Sequence, residues 1–211
     1  IIKKIFIKLS KILGYEIIDQ SDFSSPTLQK ELNEDLSIIN QKSIVLPLGE
    51  VKITKKVNSV LIIFRTNTDV EIWDQNKKRL FEEPKIQYSL RALKSLIKSV
   101  NFSKTKYPNI KFKTIIVDDK SKEENLKKLK KLIDESDLDI SITSLNHDKY
   151  KDIIKQQKND QTFSNLASLL QSFELGKEYG EDLVFFVEDD YLHFEPMMEE
   201  MIASYERIAS Q

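Results

Sequence analysis

Two runs of acids hold the residues of this chain best suited to chemistry. Asp118-Asp119 follows Lys113-Thr114-Ile115-Ile116-Val117, and Glu188-Asp189-Asp190 follows Leu183-Val184-Phe185-Phe186-Val187. Both apolar runs are too short for stable helices and rich in Val, Ile and Phe. They read as buried strands, the second buried on both faces. Adjacent carboxylates at the end of a buried strand repel one another and resist desolvation, so a cation is expected beside them. Mg²⁺ or Mn²⁺ answers that need, because either takes oxygen ligands from one or two carboxylates plus the phosphates of a substrate. A solvated acidic turn is the plainer alternative, and for Asp118 so is a cap on the following helix. Two such clusters, each directly behind a strand, weigh against accident.

The elements that must position these acids follow from hydrophobic spacing. Val60-Leu61-Ile62-Ile63-Phe64 reads as a buried strand that exits at Arg65 and Thr66, and Leu90, Leu93, Leu96, Ile97 and Val100 mark a helix over 89–100. The long connection between them, with Asp69, Trp73 and Asp74, reads as functional or inserted. Trp73 is suited either to stacking on a base or to plugging the core. After Asp119, Ser121 and Glu124 have capping-box spacing ahead of Leu126, Leu129, Leu132 and Ile133. Residues 139–145 alternate in period two, as a strand near the sheet edge does. A charged loop or helix fills 146–161, and Leu166, Leu169, Leu170 and Phe173 mark a helix ended by Gly176 or Gly180. Strand and helix alternate throughout. Right-handed crossovers wind that order into an α/β fold, an open, mainly parallel sheet with helices on both faces. Ligands of such sheets sit at the carboxyl ends of the strands, which places Arg65, Asp118, Asp119, Glu188, Asp189 and Asp190 on one rim. Arg65 is suited there to a phosphate or a base, or to a surface ion pair.

Composition narrows the classes. With 33 basic and 34 acidic residues among 211, no global basic field favours nucleic acid as a partner. The absence of cysteine excludes disulfides and thiolate metal sites. Only four glycines occur, and they form neither the dinucleotide fingerprint nor a Walker loop. Arg65-Thr66-Asn67-Thr68 is likewise not the glycine-rich loop of a sugar-nucleotide pyrophosphorylase. A receiver-type signalling domain shares the acidic strand end, but its phosphoacceptor aspartate and its lysine at a later strand end are missing. No apolar run approaches the roughly 20 residues of a membrane span. Residues 1–14 form a basic amphipathic pattern, suited either to packing on the domain or to peripheral contact of Ile1–Gly14 with an anionic membrane. A polar connector at 21–40 and a short hairpin at 44–53 complete an extension over 1–57, ahead of a domain over 58–211.

The residues from about 58 to 205 resemble GT-A type glycosyltransferases, especially the family-two-like enzymes of bacteria. Ile115-Ile116-Val117-Asp118-Asp119-Lys120-Ser121 resembles the family's "VDDGS" strand end, with Lys120 in place of the usual glycine. Asn165-Leu166-Ala167 through Gly176 is similar to the helix leading into the metal strand, and Phe186-Val187-Glu188-Asp189-Asp190 to the D-x-D motif with Glu first. The resemblance implies a Rossmann-like domain that binds a nucleoside-diphosphate sugar and transfers the sugar to a glycan or lipid-linked acceptor in cell-envelope polysaccharide synthesis. The implied nucleotide contacts are Arg65, Thr66, Asp118, Asp119, Asn165 and Asp189. Glu188 and Asp190 would hold Mn²⁺ or Mg²⁺. The chain begins at Ile1 and is expected to be a fragment, with the acceptor half and the catalytic base beyond Gln211. A cytoplasmic protein, peripheral to the inner membrane, is the expectation; a non-catalytic nucleotide-binding or interaction module is the alternative.

Overall fold

The computed structural model describes residues 52–69, 83–154 and 160–210, together with Leu9, Ile12 and Leu13. The expected connector at 21–40, Trp73, Asp74, most of the expected amphipathic helix and most of the expected hairpin lie outside these residues. Leu9, Ile12 and Leu13 are exposed.

The described chain is built on four parallel strands in the order β3-β2-β1-β4. β1 (Ser59–Thr66) lies inside the sheet between β2 (Lys111–Asp118) and β4 (Leu183–Glu188), and β3 (Asp139–Ser144) forms the far edge, as its alternation predicts. The helices are α1 (Lys85–Lys106), α2 (Glu123–Asp134), the single turn α3 (His147–Tyr150), α4 (Asp160–Tyr179) and α5 (Met197–Ala209). The chain moves outward from β1 through β2 to β3, then crosses to the other side of β1 for β4. That reversal sets the topological switch point of the sheet at the carboxyl ends of β1 and β4, where open α/β sheets carry their ligands.

Alternation along the strands divides the core between two faces. Val60, Ile62, Phe64, Ile116 and Val187 pack with Leu93, Leu96 and Val100 of α1, Leu129 of α2, and Met198 and Ile202 of α5. Leu61, Ile63, Ile115 and Val117 pack on the opposite face with Leu145, Tyr150 of α3 and Ala167 of α4. β1 is apolar at consecutive positions because both of its faces are covered. Ile62, Ile63 and Phe64 are wholly buried, and each contributes about 1.5–3 kcal/mol by leaving water.

Three local expectations change. β4 is not buried on both faces: it pairs only with β1 among the described residues, and Phe186 is 40% exposed, edge-on to Phe173 of α4. Ser121 does not cap α2. Its hydroxyl accepts from Thr68 N at 3.0 Å, and Lys122 stands at the N-cap. The first helix starts at Lys85, one turn before the apolar spacing becomes regular, and this brings Lys85 to the rim.

Candidate ligand site at the carboxyl rim

The same alternation sorts the rim side chains. Glu188 continues the face of Val184 and Phe186, whereas Asp189 continues that of Val187. Neighbours in sequence therefore meet different cations. Arg65 stands opposite Glu188 in the parallel register and forms an ion pair with it, while its other guanidinium nitrogen donates to Asn165 Oδ1 at 3.1 Å. This brings Arg65, Asn165 and Glu188 together from β1, α4 and β4. The Glu188 side chain remains 48% exposed.

Asp189 turns inward and is 6% exposed. Lys85 Nζ lies 2.6 Å from Oδ1, while Thr66 Oγ1 and Ser89 Oγ donate to Oδ2 at 2.8 and 2.6 Å. Lys85 and Ser89 are one turn apart on α1, so a single helix face supplies two of the three donors. Thr66 and Asp189, both expected at a nucleotide, are thus engaged with each other and with α1. Asp190 is exposed in the following turn and makes no hydrogen bond or ion pair with the described residues.

At the exit of β2 the two aspartates also part. Asp118 is 3% exposed; its Oδ2 accepts from Ser121 N at 3.1 Å, and its Oδ1 is buried without a hydrogen-bond partner. Burial pushes its pKa up. The Ser121 hydrogen bonds oppose that rise, and the nearby charges of Asp119 and Asp69 add to it. Asp118 therefore organises the loop ahead of α2, the part its position before a helix allowed. Asp119, 6% exposed, meets His147 Nε2 at 2.6 Å through Oδ1 and accepts from Asn67 Nδ2 at 3.1 Å through Oδ2. Thr68 and Asp69 are tied to the β2 exit as well: Asn125 donates to Thr68 Oγ1 at 3.1 Å, and Asp69 accepts from Lys122 N.

Asn67, Lys85, Ser89 and His147 are rim residues that sequence reasoning did not single out. Lys85 and Ser89 carried a signal in their spacing, once the helix is extended back one turn. His147 lies three residues past the end of β3, at the same end of the sheet as Asp119, so the carboxyl-end rule reached its neighbourhood as well. Asn67 had no distinguishing signal beyond its place after β1.

Among the described residues, no group of three or more His, Asp or Glu side chains is placed to hold a metal ion. The donors nevertheless suit an ion that takes one or two protein carboxylates and completes its shell with phosphate and water. Asp190 has no partner among the described residues, and Glu188 is paired with Arg65. Asp189 is withdrawn into its own network.

Fold and rim together define an open, parallel, Rossmann-like α/β domain with paired acids and resident cations at its switch point. In fold the chain is similar to S. aureus TarS 1–349, with 19% sequence identity and a TM-score of 0.38 over 69% of this chain and 31% of that one. The chain thus spans about a third of the length of that structure. No protein-family model and no curated protein matches it.

Proposed function

We propose that residues 58–211 form the donor-binding domain of a GT-A type, family-two-like glycosyltransferase, preceded by an extension over 1–57. The observation that carries this reading is the division of the rim. A buried carboxylate, Asp119 at the exit of β2, is held by His147 and Asn67, while Asp190, after β4, is exposed and without a partner among the described residues. The first suits the base and ribose of a nucleotide, which donate hydrogen bonds to it, and the second suits the metal of a diphosphate.

Asp190 would hold Mn²⁺ or Mg²⁺, with Glu188, now paired with Arg65, as the supporting carboxylate. The bound ion supplies neutralisation of the charge that develops on the departing nucleoside diphosphate. Arg65 then turns its guanidinium toward phosphate, a planar donor fork suited to that geometry. Asn165 orients Arg65. Thr66 and Asp189 fix the β1 and β4 exits rather than touching the nucleotide, and Asp118 does the same for the β2 exit. The acceptor is a glycan or lipid-linked hydroxyl, and the basic pattern of Ile1–Gly14 meets an anionic membrane from the cytoplasmic side.

Titration with UDP, GDP and their sugars, with and without Mn²⁺, tests this. Metal-dependent binding that Asp190→Ala abolishes is expected. Binding indifferent to the metal would favour a non-catalytic nucleotide-binding module, and absence of binding would remove the nucleotide reading altogether.

A further inference from the structure

We propose that His147 is a positioning residue for Asp119, and that His147 and Asn67 together fix the acceptor edge on which a nucleotide's base or ribose is read. The inference rests on the nucleotide-sugar reading above and assigns a role to a residue outside the expected set. Three strand exits converge here. Asn67 follows β1, Asp119 follows β2, and His147 comes from the turn after β3. One donor reaches each carboxylate oxygen, His147 Nε2 at 2.6 Å and Asn67 Nδ2 at 3.1 Å. The carboxylate thereby loses its freedom to rotate about χ2. Its remaining lone pairs only accept, so the ligand group that meets it must offer N–H or O–H.

His147 is itself held firmly enough to do this. Its side chain is 16% exposed, and its ring lies 5.9 Å from that of Phe163 at 31°. The turn that carries it is pinned at both ends. Asn146 N donates to Gln171 Oε1 at 2.9 Å, Gln171 Nε2 donates back to Ser144 O at 3.0 Å, and Tyr150 is wholly buried. A support anchored this way sets the geometry of the group it touches to the tolerance that recognition needs. A residue that only tied α3 to the β2 exit would affect stability and leave affinity alone.

The experiment measures UDP and GDP affinity by calorimetry, with Mn²⁺ present, for wild type, His147→Ala, His147→Gln and Asn67→Ala, alongside thermal unfolding of each. Loss of one charge-assisted hydrogen bond corresponds to roughly a 10-fold weakening or more. His147→Ala is expected to show that loss for whichever nucleotide binds. His147→Gln, which keeps an N–H donor, is expected to recover most of it. Asn67→Ala is expected to weaken binding in the same direction, and it reads the same edge should His147→Ala fail to fold. Unchanged affinity in folded His147→Ala or Asn67→Ala overturns the positioning role and leaves the nucleotide reading intact. A loss that His147→Gln does not repair, and that follows thermal stability across the variants, also overturns it. If wild type binds neither nucleotide, the underlying reading fails and this role falls with it.

Discussion

Lys120 follows Asp119 and has φ 58°, the one left-handed non-glycine residue among those described. Its exposed side chain makes no hydrogen bond or ion pair with the described residues in return, and an L-residue with a Cβ is disfavoured in this region by about 1–2 kcal/mol. Lys120→Gly is therefore expected to raise unfolding free energy by about 1 kcal/mol in urea titrations, after allowing for glycine's greater freedom in the unfolded chain. Lys120→Ala keeps the Cβ and is expected to give no gain; an equal gain would show that backbone conformation is not the cause. Asp118 gives a pH-dependent prediction. Its native pKa is raised above the ordinary 3.8, so between those values the native state binds more protons than the unfolded state. Its contribution is fully present below 3.8 and is lost as pH rises through the native pKa. Asp118→Asn retains an oxygen for Ser121 N and removes the titration. Relative to wild type, the variant should gain stability between pH 4 and pH 7 in parallel urea melts. A constant difference across that range would sink the assignment.

At the scale of elements, the junction between α4 and β4 is set by space as much as by hydrogen bonds. A Cβ on Gly180 would lie 2.5 Å from the carbonyl oxygen of Gly176 and 2.4 Å from Val184 Cγ2, so backbone must move to admit it. On Gly176 the nearest atom would be the ring edge of Phe186 at 3.0 Å, a partly exposed side chain that can shift. Gly180→Ala is expected to lower stability by about 1–3 kcal/mol, the usual range for overpacking, and Gly176→Ala by clearly less. Thermal melts of the two variants decide it, and equal losses would contradict the steric account. α4 bears on the rim in another way, because Arg65 at the exit of β1 donates to Asn165 of α4.

The whole molecule is drawn together at Asp189, where β1, β4 and α1 meet through Thr66, Ser89 and Lys85. Removing that carboxylate leaves Lys85 charged, with its side chain only 11% exposed, and takes from the buried Thr66 hydroxyl its acceptor, while Ser89 keeps only the Lys85 carbonyl at 3.3 Å. Asp189→Ala is expected to cost roughly 3 kcal/mol or more in chemical denaturation. Asp190→Ala, one residue on, should stay within about 0.5 kcal/mol of wild type, as changes at exposed positions without partners usually do. Comparable losses from the two would mean that the neighbouring acids do not have separate roles.

Much of this architecture was readable from residues alone. The runs Val60–Phe64 and Lys113–Val117, the period-two stretch at 139–145 and the apolar helical spacings specify a parallel α/β sheet, because covered strands and amphipathic helices have few ways to bury their faces. The carboxyl-end rule likewise brought Arg65, Asp118, Asp119 and Glu188 through Asp190 to one rim. The partner of each acid was decided only by tertiary structure. Period-two alternation sends Glu188 and Asp189 to opposite faces of β4, and the strand order sets Arg65 beside one of them. The early start of α1 brings Lys85 to the other. The demand for positive charge that the acid triplet makes is thus met in large part by the chain's own cations, Arg65 at Glu188 and Lys85 at Asp189, and Asp190 is the one of the three without a partner among the described residues. Side chains such as His147 and Asn67 came to the site from separate strand exits. Their positions depend on strand order and register, which local spacing does not encode.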